Sequence, residues 1–238
     1  MNPKRPWAWL GLVLGVLAPG LACGEVQVDV ELSPFLREAA PRIDQVERRS
    51  EEEFRKHRAY EDVDRRSERA QFADSVLNRV EWANERLVPD AAEYGVEKLV
   101  QALVRDALAK AGLEGYSKRI RVTVDQVGVR NHPVAPLRGA SEHVSGRFEE
   151  IDPASGQTLR AAEVVSNLVV SPTADRSYHG PDLAFDDTDP TRRVGPALAY
   201  FVTKGLEKLF PDRTFPKVVT VLFADRENET RPRLVRVR

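Results

Sequence analysis

Histidine, cysteine and clustered aspartate are the residue types in this sequence that could carry chemistry. The four histidines, His57, His132, His143 and His179, are scattered along the chain, and no two of them have the HxH or HExxH spacing of a zinc site. The sequence also lacks a glycine-rich phosphate loop and the GxSxG turn of serine hydrolases. We therefore expect no metal, no cofactor and no catalytic residues.

The most suggestive local cluster is the acidic stretch SYHGPDLAFDDTDP at 177–190. Its aspartates, Asp182, Asp186, Asp187 and Asp189, could offer oxygen ligands to Ca²⁺, but the spacing of an EF-hand is absent. An acidic loop that leads into a helix is the favoured interpretation. The alternative is a periplasmic hydrolase in which Asp186 and Asp187 act with His179 as acid and base.

Cys23, the single cysteine, follows an apolar run that begins at Trp7. Basic residues, an apolar run and then small residues are the layout of a secretory signal peptide. The stretch Gly20-Leu21-Ala22-Cys23 also resembles the lipobox of bacterial lipoproteins, in which the cysteine is acylated and becomes the first mature residue. We therefore predict a signal peptide at 1–22 and lipid attachment at Cys23. Cleavage without acylation and an uncleaved membrane anchor are the alternatives.

Charges are numerous but balanced, with 36 basic residues, 37 acidic residues and a formal net charge of −1. A balanced chain has no overall field that would attract nucleic acid, so we expect no nucleic-acid partner. A single cysteine also excludes a disulfide within the chain.

Hydrophobic periodicity predicts an α+β fold with a mixed sheet and helices packed on one face. Alternating patterns predict a strand at 26–32, a strand from Arg119, a hairpin over 143–171 that turns at Asp152–Gly156, and a strand at 217–223. Helical spacing predicts helices that end before Pro89, at Gly112 and at Pro211. We expect a long loop at 172–196, and a frayed end or an edge strand at the arginine-rich end RPRLVRVR. Residues 23–238 are predicted to form one domain, in preference to two domains divided near Pro89.

Residues 38–88 are predicted to be a charged helical segment of this domain, with the highest charge density at 42–69. Ile43 and Val46 share one helical face, and Phe54 follows about two turns later, so the apolar stripe is thin. The segment is either a solvated helix on its own domain or a helix offered to a protein partner in the cell envelope.

Several stretches resemble a broad group of exported bacterial proteins of unknown function. They are a strand just after a lipobox-like cysteine, YGVEKLVQALVRDALAKAG leading to RIRVTVDQVGVRN, and HVSGRFEEIDPASGQTL. The proteins they resemble are small α+β domains, often lipoproteins, similar to the N-terminal domain of TolB. The resemblance covers about Tyr94 to Phe210, is structural rather than chemical, and implies no catalytic residues.

Together these features predict an exported protein, periplasmic or attached to the outer membrane. We expect it to be a membrane-anchored lipoprotein that acts as a non-catalytic binding, accessory or scaffold component.

Overall fold

Two four-stranded sheets and four α-helices make up the described structure. The computed structural model describes residues 26–61, 81–128, 143–167, 170–174, 183–186, 194–222 and 233–237. Its strands are β1 Val28–Leu32, β2 Arg119–Gly128, β3 His143–Ile151, β4 Thr158–Asn167, β5 Val170–Ala174, β6 Leu183–Asp186, β7 Val218–Leu222 and β8 Arg233–Val237. Its helices are α1 Pro34–Glu61, α2 Ala83–Leu87, α3 Val96–Lys110 and α4 Val194–Leu209, with a 3₁₀ turn at Ala91–Glu93. The α+β class predicted from the sequence is confirmed.

The first sheet has the order β1-β2-β3-β4, with β1 parallel to β2 and the other neighbours antiparallel. Its strands alternate between a buried and an open face, as the period-two pattern requires. Ile120, Val122 and Val124 of β2 are fully buried on the inner face, together with Val144 and Phe148 of β3. Helices α1, α3 and α4 all contact strands of this sheet, and they pack on the inner face in the part of the chain that the structure describes.

Local turn chemistry fixes the ends of these elements where the sequence indicates. Helix α3 ends at Lys110, and Gly112, two residues later, has a φ of 74°. Gly112 N donates to the carbonyl of Ala109 and Leu113 N to that of Leu108, both at 2.9 Å. These two bonds form a Schellman motif, which satisfies carbonyls that a helix end otherwise leaves unpaired. The β3–β4 turn likewise ends at Gly156, with φ 71°.

Helix α4 lies between the two sheets and contacts both of them. Twelve of its sixteen residues are buried, because a helix covered on two sides needs apolar residues nearly all round. A Cβ atom at Gly205 would lie 2.2 Å from the ring of Phe148, so glycine is what allows α4 to approach β3 this closely. On the other side, Thr203 Oγ1 donates to the carbonyl of Pro216 at 3.1 Å, just before β7.

The second sheet, of order β5-β8-β7-β6, corrects two sequence-based predictions. The loop expected at 172–196 contains the last residues of β5, all of the short strand β6 and the first residues of α4. The arginine-rich strand β8 lies between β5 and β7, so it is a central strand and neither an edge nor a frayed end. A parallel bridge from Trp82 to Ala184 extends this sheet beyond β6.

Candidate functional site

One long side of α1 faces the protein interior and carries acidic residues at helical spacing. Asp44 Oδ1 accepts a hydrogen bond at 2.9 Å from the backbone nitrogen of Val96, the first residue of α3. Glu47 Oε1 accepts one at 3.2 Å from the nitrogen of Val194, the first residue of α4. A helix N-terminus has unpaired N–H groups and a partial positive charge, and both favour a carboxylate. Helix α1 thus caps two other helices.

A third carboxylate on the same side, Glu51, is fully buried. Its oxygens accept from Asn84 Nδ2 at 2.7 and 2.9 Å, and Arg55 Nε donates to it at 2.8 Å. Arg55 also donates to the carbonyls of Val88, at 2.7 Å, and of Pro89. These bonds fasten the middle of α1 to the segment that follows α2.

The side chain of Asp44 also lies very close to the backbone of Gly95, the residue before α3. A Cβ atom there would lie 2.8 Å from Cγ of Asp44, so any larger residue would push the carboxylate off the N-terminus of α3. Arg48 Nε, one turn further along α1, donates to the carbonyl of Tyr94 at 2.9 Å. Asp44 and Arg48 therefore bind the first residue of α3 and Tyr94, which precedes α3 by two positions.

The opposite side of α1 is exposed and includes two large apolar side chains. Phe35 is 76 % exposed and Val46 is 56 % exposed. They lie eleven residues apart, which is three helical turns and about 16 Å along one side of the helix. Arg42 and Arg49 lie on the same side, and Arg49 pairs with Glu53 at 3.3 Å. We call this the outer face of α1.

Ile43 and Val46, which the spacing assigns to one helical face, differ in exposure. Ile43 packs against the core, whereas Val46 is exposed to solvent. Phe54 does contact the protein, with its ring 5.3 Å from that of the buried Trp82 in an edge-to-face arrangement. The described part of segment 42–69 therefore packs on its own domain through one side, mainly by polar contacts.

A second buried carboxylate cluster lies at the other end of the first sheet. Tyr116 Oη donates to Glu150 Oε1, and Arg160 Nε pairs with Glu150 Oε2 at 3.2 Å. Burial and the neighbouring Glu150 carboxylate raise the pKa of Tyr116 to about 12. Arg160 also donates to the carbonyl of Leu209, the last residue of α4, at 3.1 Å. The cluster joins β3, β4 and the C-terminal end of α4.

The open face of the first sheet carries ion pairs of a different kind. Arg119 pairs with Asp29 at 3.5 Å, and Arg121 with Glu31 at 3.4 Å, across the parallel strands β1 and β2. Arg121 also lies 3.9 Å from Glu149 of β3. All of these side chains keep part of their surface in water.

The histidines that sequence analysis considered do not converge in the described structure. His143 begins β3 and is half-buried, and its imidazole lies where a Cβ of Gly128 would be, within 2.2 Å. His57 lies in α1, although its side chain is not described, and His132 and His179 lie outside the described residues. Over the parts of the chain that the structure covers, no three metal-ligating side chains come together.

The acidic loop and the lipid attachment site are largely outside the described residues. Asp186 is the last residue of β6, and Asp182, Asp187 and Asp189 are not described, nor is Cys23. The hydrolase alternative and lipid attachment both remain predictions. None of the helices within the described ranges is long and apolar enough to cross a membrane.

Sequence analysis missed the inner side of α1. Asp44, Glu47 and Glu51 have the 3–4 spacing of a buried helix face, but a hydropathy pattern interprets acidic residues as facing solvent. In the structure each carboxylate accepts bonds from the protein's own N–H groups. Such an arrangement fixes the helices and differs from that of a general base, which must reach a substrate proton.

Comparisons with protein families, with curated proteins and with solved structures find no match to this chain.

Proposed function

We propose that this protein is a non-catalytic component of the cell envelope that binds a protein partner through the outer face of α1. The observation that carries the proposal is the contrast between the two long sides of this helix. The inner side is held by backbone and side-chain hydrogen bonds at Asp44, Glu47 and Glu51. The outer face leaves Phe35 and Val46 in water.

An exposed apolar pair on a fixed helix suits helix-in-groove or helix-to-helix recognition. Such recognition uses large apolar anchors on one side of a helix, and charged neighbours select the partner. Arg42 lies about one turn before Val46, and Arg49, paired with Glu53, lies about one turn after it, so the surface favours a partner with an apolar groove and a rim of mixed charge. Because the inner side is fixed, α1 is ordered before binding, which lowers the entropic cost of association.

Anchorage through a lipid on Cys23 is the second part of the proposal. The lipobox-like sequence supports it, and the balanced charge supports a protein partner rather than nucleic acid. The buried carboxylates support binding over catalysis, because Glu51 and Glu150 are engaged by protein donors.

Site-specific photocrosslinking in native membranes tests the binding surface. A photoreactive residue at position 46 is compared with one at Val165, which is 72 % exposed but lies on the open face of β4. We expect position 46 to give a discrete adduct that is lost when Phe35→Ser is added, and position 165 to give none. Adducts of equal yield at both positions, or an adduct that is insensitive to Phe35→Ser, would contradict the proposal.

A further inference from the structure

We infer that the end of the domain containing the β3–β4 turn lies against the lipid headgroups of the membrane, with α1 held on the far side. This inference rests on the proposed acylation of Cys23. It adds a membrane-facing surface and an orientation, neither of which the binding proposal requires.

The tether between the predicted lipid and the folded core is very short. Val26 is 4 % exposed and belongs to the hydrophobic core. Cys23 precedes it by three residue steps, so the two α-carbons can be at most about 11 Å apart. The next residue, Gln27, is already in the sheet, since its carbonyl accepts from the nitrogen of Ile120 at 2.9 Å. A lipid at Cys23 would leave the domain no freedom to move away from the bilayer.

Strand register identifies the surface that this short tether would bring to the membrane. β1 begins with Val28 beside Ile120, at the start of β2. Arg119 lies opposite Ile151 at the end of β3, and Ile151 lies opposite Thr158 at the start of β4. The β3–β4 turn at 152–156 and the loop at 111–118 therefore lie at the end where β1 begins. We call this the tether end.

The chemistry of the tether end suits a polar headgroup layer. Residues 153–156 are exposed, and the charges beside them are paired, with Lys118 Nζ 2.7 Å from Asp152 Oδ1. The hydrogen bonds from Lys118 and Ser155 hold the pKa of Asp152 below its usual range, so this carboxylate stays ionised at neutral pH. A balanced surface has no strong attraction of its own to anionic lipid. The tether, and not the charge, would set the orientation.

The same register places α1 away from the membrane. Ser33, just before α1, donates through its nitrogen to the carbonyl of Val124 at 2.9 Å. Val124 lies five residues along β2 from Arg119, so α1 begins about 17 Å from the tether end. From there α1 reaches the N-terminus of α3, where Asp44 accepts from the nitrogen of Val96, whereas the other end of α3 leads into the loop at 111–118. A partner in the envelope can therefore reach the outer face.

Fluorescence quenching by lipid headgroups measures this orientation. The full-length protein is purified from membranes in its acylated form and reconstituted into vesicles of phosphatidylethanolamine and phosphatidylglycerol with nitroxide-labelled headgroups. Once the sulfur of Cys23 carries lipid, an introduced cysteine is the only free thiol. A fluorophore is attached at Ala154→Cys in the turn or, as a matched control, at Asn167→Cys, since both positions are exposed and Asn167 ends β4.

We expect the label at position 154 to be quenched several-fold more than the label at position 167, at low and at high salt. Inserting about twenty Gly and Ser residues after Gly24 adds a reach of about 25 Å and should abolish the difference. Equal quenching in an acylated protein would overturn the orientation alone. A difference that survives the insertion would overturn the role of the tether. An intact mass without acyl chains, in a protein that does not float with vesicles, would overturn both this inference and the proposed anchorage.

Discussion

The inner side of α1 and the open face of the first sheet are both lined by charged residues, but the charges have different partners. On α1, Glu47 and Glu51 accept from backbone and amide N–H groups in the protein interior. On the sheet, Arg121 lies between Glu31 and Glu149 and stays partly in water. When a buried carboxylate or its donor is removed, the partner left behind is buried without a hydrogen bond. That partner has lost its contact with water and gains nothing in return, so the folded state is strongly destabilised. An exposed pair exchanges its partner for water at little cost. We therefore expect the free energy of unfolding to depend strongly on the buried carboxylates of α1 and hardly at all on the ion pairs of the open sheet face.

The largest effect is expected at Glu51. Glu51→Ala leaves the buried amide of Asn84 and the guanidinium of Arg55 without the carboxylate that binds both. We expect the free energy of unfolding to fall by about 3 kcal/mol, the lower end for breaking a buried pair, since Arg55 keeps its bonds to two carbonyls. Urea unfolding followed by circular dichroism measures this change. The control is Glu52→Ala at the exposed neighbouring position, where a loss as large as that at Glu51 would refute the comparison.

A smaller loss is expected at the helix cap supplied by Glu47. Glu47→Ala leaves the nitrogen of Val194 without this acceptor, at a cost of about 2 kcal/mol. Glu47→Gln keeps an oxygen that can accept the same bond and should recover more than half of the loss. If the two variants are equally unstable, the stabilisation comes from the negative charge of Glu47 at this N-terminus and not from the hydrogen bond.

Tyr116 provides a test in which pH replaces mutation. Its pKa is raised from 10.0 to about 12 in the folded protein, so the folded state holds this proton more tightly than the unfolded state. The stabilisation is fully present below pH 10 and is lost as the pH rises from 10 to 12. After allowance for partial exposure, we expect a loss of about 1 kcal/mol over that range relative to Tyr116→Phe. Parallel stability curves for the two proteins would show that Glu150 does not hold the phenol proton.

The smallest effect is expected on the open face of the sheet. Arg121→Ala removes contacts with both Glu31 and Glu149, yet should change the free energy of unfolding by less than about 1 kcal/mol. The difference should shrink further in high salt, which screens exposed pairs. A loss as large as that of Glu51→Ala would remove the distinction between the two regions.

Sequence patterns predict those elements whose apolar residues face one way. Helix α3, the hairpin of β3 and β4, and strand β1 lie close to their expected positions, because periods of 3.6 and 2 mark a single buried face. The hairpin expected to run to 171 instead ends with β4 at Asn167, and residues 170–171 belong to β5 of the second sheet. The Schellman end at Gly112 and the turn at Gly156 were equally predictable, since only particular residues favour a positive φ.

The features that the sequence did not predict have a common physical cause. In each of them, contacts with elements distant in the chain decide the structure, and the local hydrophobic pattern does not. Strand β6 has four residues within a stretch rich in proline, glycine and aspartate, and it forms because β7 lies beside it. Strand β8 is rich in arginine, yet it pairs with a strand on each side. The inner side of α1 is buried because α3 and α4 present N-termini to it. None of these neighbours can be recognised from the local sequence.

The pairing of β1 with β2 has a consequence for how fast the protein can fold. β1 is made early, but its parallel partner follows only after α1, α2 and α3. Closing so long a loop costs chain entropy before any strand contact repays it, and chains dominated by such distant contacts fold in milliseconds to seconds. During that interval the valines of β1 remain unpaired. Those five residues, although they form one of the shorter strands described, would then depend on a holding chaperone during synthesis.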